Sequence, residues 1–457
     1  MRTEQDSMGE VKVADDALHG ASTQRAVDNF PVSGHRMPVA FIRALGLVKY
    51  ATATANRSLE LLPADKAELI AKAALEIHEG KHDGEFPVDV FQTGSGTSTH
   101  MNANEVIANR CSQLAGEDLG SKKPVHPNDD CNLGQSSNDV MPTTLHLSVV
   151  LALRDTLKPG LGKLQKALEK KADDFKDIAK IGRTHLMDAT PLTLGQEFSG
   201  YAAQVAKGIE RLERAESALA ELAIGGTAVG TGINTHQDFA ARVVEAINDK
   251  TGLNFREAAN HFEAQAGRDD CVEVAGQLSA VAASLSKIAN DIRLLGSGPR
   301  CGLGELSLPA TQPGSSIMPG KVNPVMSESL VQTSIYVQGL CGVVANCGRE
   351  GQFELNATIP LIAHSLHEAI ACLGKAAGLF ADKCVAGIEA NADKIEEHLR
   401  QSLMLVTALT PHLGYDQAAK VAKQAHEEGK TLREVVLDQE LMDEEELEKA
   451  LDPQQML

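Results

Sequence analysis

Apolar residues recur at steps of three and four along three stretches in the middle of the chain. One runs Leu194, Phe198, Tyr201, Val205, Ile209, Leu212, Ala215, Leu219, Leu222, and a second runs Cys271, Val274, Leu278, Val281, Leu285, Ile288, Ile292, Leu295. A third runs Leu145, Val149, Leu153, Leu157, Leu161, Leu164, Leu168. This period lays one apolar stripe along a helix. Pro159 and Gly160 fall inside the third stripe and predict a kink there. Stripes of about 25 to 30 residues make rods of about 40 Å, longer than ordinary globular helices, and such rods pack as bundles.

Composition points the same way. Aromatic residues are 3% of the chain and Trp is absent, so the cores are aliphatic, and the fold class expected is mainly α. A length of 457 residues predicts about three domains at roughly 150 residues each. The pattern divides them as an N-terminal mixed helical domain over 1–135, a central long-helix bundle over 136–390 and a small C-terminal helical domain over 391–457. In the last of these the stripes give way to short, charge-rich helices ending in DEEELEKALDPQQML.

The stripes alone describe a scaffold, so chemistry is sought in the Gly-rich polar segments at the rod ends. These are TGSGTSTHMNANE (93–105), HPNDDCNLGQSSND (126–139), GRTHLMDATP (182–191), GGTAVGTGINTH (225–236) and GSSIMPGKVNP (314–324). A formal net charge of −19 opposes nucleic acid and anionic membranes as partners, and any bound anion needs cations concentrated locally. The eight Cys are scattered without zinc or disulfide spacing and read as reduced, mostly buried thiols. The N-terminus lacks the pattern of a targeting segment and no uninterrupted apolar run reaches membrane-span length, so a cytoplasmic location is expected.

Gly314 to Pro324 is the strongest local signal. Its glycines permit unusual backbone angles, successive N–H groups can form an anion-binding nest, and Ser315, Ser316, Lys321 and Asn323 supply a hydroxyl, a charge and a neutral donor. Ser136, Ser137 and Asn138 precede a helix, where they serve as caps while the helix end attracts carboxylate. If the helices that begin after Asp139 and after His185 are antiparallel neighbours, their starts lie about 40 Å apart. A site using both motifs then requires more than one chain.

GSSIMPGKVNP resembles the signature loop of the fumarase and aspartase superfamily. The resemblance extends over nearly the whole chain, through DSMGEV (6–11), Thr23 to Arg25, the five segments above, FELN (353–356) and SLMLVTAL (402–409). DATP at 188–191, His185, HPNDD and FELN look like the class II fumarase branch; aspartate ammonia-lyase is the close alternative, and a catalytically silent structural bundle is a reading of another class.

The resemblance implies a homotetramer without cofactor or metal, acting on fumarate and malate, with active sites shared between subunits. It implies Ser315 as general base and His185 on the acid side, with Glu328 orienting His185 and Lys321 beside the base. Thr97, Ser136, Ser137, Asn138, Thr184, Asn323 and Ser316 would bind substrate. Lys123, His126, Asn128 and Asp129 resemble a second carboxylate site, although a Pro-Asn-Asp turn serves structure equally well. The chain departs from the common pattern at His100, usually Asn, at Leu133-Gly134, often Lys-Ser, and at Met187, usually Gln.

Overall fold

The computed structural model describes residues 1–456. Long helices dominate: Val39–Ser58, Thr97–Ala115, Ser137–Ala152, Lys158–Asp174, Leu194–Ala218, Asp269–Leu295, Val325–Gly348 and Ile359–Lys383. Strands among the described residues form only two-stranded sheets. The expected mainly α class holds.

The stripes appear as helices, with two amendments. Leu219 and Leu222 fall beyond the end of Leu194–Ala218, and Glu221–Leu222 instead pairs in parallel with Arg256–Glu257. Both leucines are buried, so burial sustains the spacing after the helix has stopped. At the predicted kink the helical run passes through a π turn, Leu153–Leu157, and the Lys158 N–H reaches back to the Leu153 carbonyl. Pro159 follows at once, where its missing N–H is tolerated beside an already widened turn.

Two compact units emerge, each assembled from three chain segments. One comprises 1–159, 208–282 and 334–374; the other comprises 160–207, 283–333 and 375 onward. In the first, Val39–Ser58 packs on Ala64–His78, Ser137–Ala152 and Phe239–Thr251. Phe41, Ile42, Leu45, Leu47 and Val48 are buried to 2% exposure or less. Gly46 lets Ala64–His78 approach closely, because a Cβ there would stand 2.7 Å from the His78 nitrogen.

In the second unit an antiparallel hairpin, Ala179–Thr184 with Met187–Thr193, precedes Leu194–Ala218. Its two-residue turn is His185-Leu186, with φ of 56° and 61°, the paired positive values that a twisted hairpin demands. Ile181 enters a core made by Leu399, Leu405, Leu409, Val421, Val435, Val436 and Leu447. Lys180, 1% exposed, meets Glu197 at 2.9 Å and Glu305 at 3.4 Å. Glu305 also takes Arg183 and His398; burial works against its ionised form, but the Arg183 and Lys180 cations and the His398 hydrogen bond hold its carboxyl below the usual range. Apolar packing and buried ion pairs therefore fix the base of the hairpin whose tip carries His185.

Candidate functional site

Ser137–Ala152 begins with a capping box. The Ser136 hydroxyl accepts the Asn138 N–H, and the Asp139 carboxylate accepts the Ser136 N–H at 2.9 Å. Asp139 is fully buried and its second oxygen accepts the N–H groups of Gly225 and Thr227, each at 3.0 Å. Burial raises its pKa, against these backbone donors, which favour the carboxylate. The Asn138 amide donates to the Ala228 carbonyl at 2.8 Å, so the Gly-rich 225–236 segment is tied to the helix start at both residues. A recess lined by Gln135, Ser136, Thr227, Ala228 and Asn234 opens beside them.

Thr97 opens the neighbouring Thr97–Ala115 helix after Gly96, whose φ is 78°. Its hydroxyl lies 2.7 Å from that of Ser95. Gly94 cannot be replaced without moving the residue that follows FELN, because a Cβ there would come within 1.8 Å of the Ala357 carbonyl oxygen. Asn356 of that motif is fully buried and donates to the Cys347 carbonyl at 2.9 Å, a structural role.

One turn beyond Thr97, His100 joins the two helices: its Nδ1 lies 2.8 Å from the Ser137 Oγ. Its Nε2 lies 2.7 Å from the Nζ of Lys49, which also donates to the Gln135 Oε1 at 2.8 Å and the Cys131 carbonyl at 3.4 Å. Lys49 and His100 are 0% and 1% exposed. Burial pushes the Lys49 ammonium down to about 7 and, with Lys49 beside it, holds His100 well below its ordinary range. Lys49, Gln135 and Asp139 were not singled out in the sequence. One signal was available: Ile42, Leu45, Lys49, Thr52 and Asn56 form a helical stripe whose last three members are polar yet buried. The Leu133-Gly134 departure contributes backbone, with the Leu133 carbonyl accepting from Asn56 and Gln135.

Ser315 to Asn323 makes a loop held by its own bonds. The Gly314 N–H donates to the Lys321 carbonyl at 2.9 Å and the Asn323 amide donates to the Gly314 carbonyl at 2.8 Å. The Lys321 ammonium donates to the Asn323 Oδ1 at 2.6 Å. The Ser315 Oγ accepts the N–H groups of Met318, at 3.0 Å, and Ile317, at 3.3 Å. Two donors aimed at one hydroxyl oxygen favour its anionic form. Ser316 and Lys321 are exposed, and Glu328 sits half-buried in the first turn of Val325–Gly348.

Thr184, His185 and Met187 are exposed at the hairpin tip. Within one chain His185 forms no hydrogen bond to Ser315, Lys321 or Glu328 among the described residues. Of the other carboxylate candidates, Lys123 and Asn128 are exposed and the Asp129 side chain is 81% exposed. His126 spends its Nδ1 on the turn itself, accepting the N–H groups of Asn128 and Asp129 at 3.2 Å. The adjoining cavity is lined by Glu4, Asp6 and Glu105 as well as Lys122 and His126. Six of the eight cysteines are buried, Cys301 is exposed, and all are free thiols.

Fold and motifs together define a helical lyase. Residues 9–339 match the family described as Lyase, and residues 405–457 match the family described as Fumarase C C-terminus. The class II fumarate hydratase of Nitrosomonas europaea is 52% identical over 455 residues, covering 100% of this chain and 98% of the relative. That of Halobacterium salinarum is 53% identical over 455 residues, covering 100% and 97%. The crystal structure of a class II fumarase from Schistosoma mansoni superposes with a TM-score of 0.97 at 39% identity, covering 100% of this chain and 98% of that one. The chain belongs to the class II fumarate hydratase family.

Proposed function

We propose that the protein catalyses the reversible anti addition of water to fumarate, giving (S)-malate, with Ser315 as general base and His185 on the acid side. Starting from malate, the Ser315 alkoxide takes the proton from the carbon next to one carboxylate. The bonding pair moves into that carboxylate, which then carries a second negative charge. Lys321, Asn323 and the loop N–H groups stabilise this dianion more than the ground state, which is where rate enhancement originates. The pair then returns to form the double bond as hydroxide leaves, protonated through His185, whose ring would be oriented by Glu328. Thr97, Ser136, Ser137, Asn138, Thr184 and Ser316 would hold the carboxylates and the hydroxyl. The observation that carries this reading is the pair of N–H groups converging on the Ser315 Oγ, with the Lys321 ammonium in the same loop.

A homotetramer with shared sites accounts for two further observations. His185 has no bond to the serine loop of its own chain. Val325–Gly348 is apolar, yet only about a third of its most apolar stretch is buried. Ile335 and Tyr336, 62% and 49% exposed, are surfaces that another subunit would cover. The division into 1–135, 136–390 and 391–457 and a cytoplasmic location belong to the same proposal, as does a second carboxylate site at Lys123, His126, Asn128 and Asp129. The test is to add malate and follow the ultraviolet absorbance of the conjugated double bond, then repeat with aspartate. Absorbance should rise with malate; a rise with aspartate alone would make the protein an ammonia-lyase.

A further inference from the structure

Behind the hydroxyl of Ser137 lies a chain of buried polar groups that extends well beyond any helix cap. Each link has a defined polarity. The Gln135 amide directs its nitrogen to the Cys131 and Leu133 carbonyls, both at 3.2 Å, which leaves its Oε1 facing Lys49. Lys49 then has three acceptors around Nζ, the Gln135 Oε1, the Cys131 carbonyl and the His100 Nε2, one for each proton of an ammonium. With Nε2 accepting, the neutral imidazole must carry its proton on Nδ1. That proton faces the Ser137 Oγ, 2.8 Å away. A hydroxyl that accepts there has its own proton left to give, and a bound carboxylate is an acceptor only.

We propose that Lys49 and His100 are positioning residues that lock Ser137 as a hydrogen-bond donor toward a substrate carboxylate. The inference rests on the reading of Ser137 as a substrate-binding residue. It assigns a purpose to His100 and to a lysine buried with no carboxylate in contact, an arrangement that stability alone disfavours. The charged and titratable groups around the chain of bonds are Asp139 on Ser137–Ala152 and the Cys131 thiol, both buried. Asp139 is already committed to Ser136, Gly225 and Thr227. An incoming carboxylate would therefore be the anion that most directly answers Lys49.

Amide isosteres separate the two ring nitrogens. In His100→Asn the amide nitrogen falls near Nδ1 and keeps the donor to Ser137, whereas in His100→Gln it falls near Nε2 and loses it. Steady-state kinetics on malate and calorimetric binding of succinate, an unreactive four-carbon dicarboxylate, are measured for both, for Lys49→Met and for Ser137→Ala. Ser137→Ala should raise KM and the succinate Kd about tenfold, the worth of one hydrogen bond to a charged group. His100→Gln and Lys49→Met should raise both several-fold while kcat stays within about threefold, the signature of lost uniform binding. His100→Asn should stay within about threefold of wild type, and His100→Gln should add nothing in a Ser137→Ala background. If Ser137→Ala weakens binding but His100→Gln and Lys49→Met do not, or if the effects of His100→Gln and Ser137→Ala multiply, the relay is wrong and the site reading stands. If Ser137→Ala leaves KM and Kd unchanged, the site reading falls and takes the relay with it.

Discussion

At the start of Ser137–Ala152 the Ser137 hydroxyl and the Ser136 backbone stand on buried side chains, whereas Gly314 to Asn323 hangs on bonds made within itself. Ser137 is backed by His100 and Lys49, and Ser136 by Asp139, itself fixed to Gly225 and Thr227. The serine loop has no such floor: Ile317, Met318 and Val322 are 83%, 48% and 49% exposed. Donors fixed by buried supports suit the holding of a carboxylate whose charge is constant, and N–H groups with an ammonium converging in one short loop suit the atoms where charge develops. The contrast fits the proposed division, with substrate holding in the first region and chemistry in the second.

The sharpest way to break that assignment is Ser315→Ala. It should lower kcat by about a thousandfold or more while the succinate Kd stays within about twofold, because the base is lost and the cradle is untouched. Comparable losses in kcat and affinity would erase the distinction.

Asp139→Asn attacks the other side. Placing an amide nitrogen among backbone donors leaves buried N–H groups unpaired, at a cost of about 2 kcal/mol of unfolding free energy. Thermal unfolding should shift downward and the succinate Kd should rise several-fold. A variant with wild-type stability and affinity would mean that the carboxylate is dispensable to the cradle.

The long helices were legible because burial imposes a period that survives in sequence, and the short C-terminal helices from Ala392 onward matched the loss of that period. The hairpin at 179–193 was not, because its turn places His185 and Leu186 at positive φ without the Asn-Gly signature that announces such turns. Leu219 and Leu222 read as helix because a buried turn and the short strand after it can continue the same spacing. The functional segments stood out by their Gly-rich polarity, but the Lys49–His100–Ser137 chain spans residues 51 and 37 positions apart, and only the folded packing makes them neighbours.

A smaller effect tests the scaffold beneath the cradle. Arg110, on the helix that carries Thr97 and His100, holds the Glu76 carboxyl down to about 2. A carboxyl depressed in the folded state lends stability that is fully present above its ordinary value near 4.5 and is lost as pH falls toward 2. Glu76→Gln should therefore lower the thermal midpoint at neutral pH, and the gap from wild type should close over that interval. A gap independent of pH would remove the ion pair from the explanation.

Mixing subunits tests the central claim most directly, that Ser315 of one chain works opposite His185 of another. Purified Ser315→Ala and His185→Asn proteins, each expected to be nearly inactive, are exchanged under conditions where subunit scrambling is verified. Random reassembly should make about a quarter of the sites intact in both residues, and malate turnover should recover toward a quarter of wild type. Verified exchange with no recovery would place both residues of each site on a single chain and contradict the account.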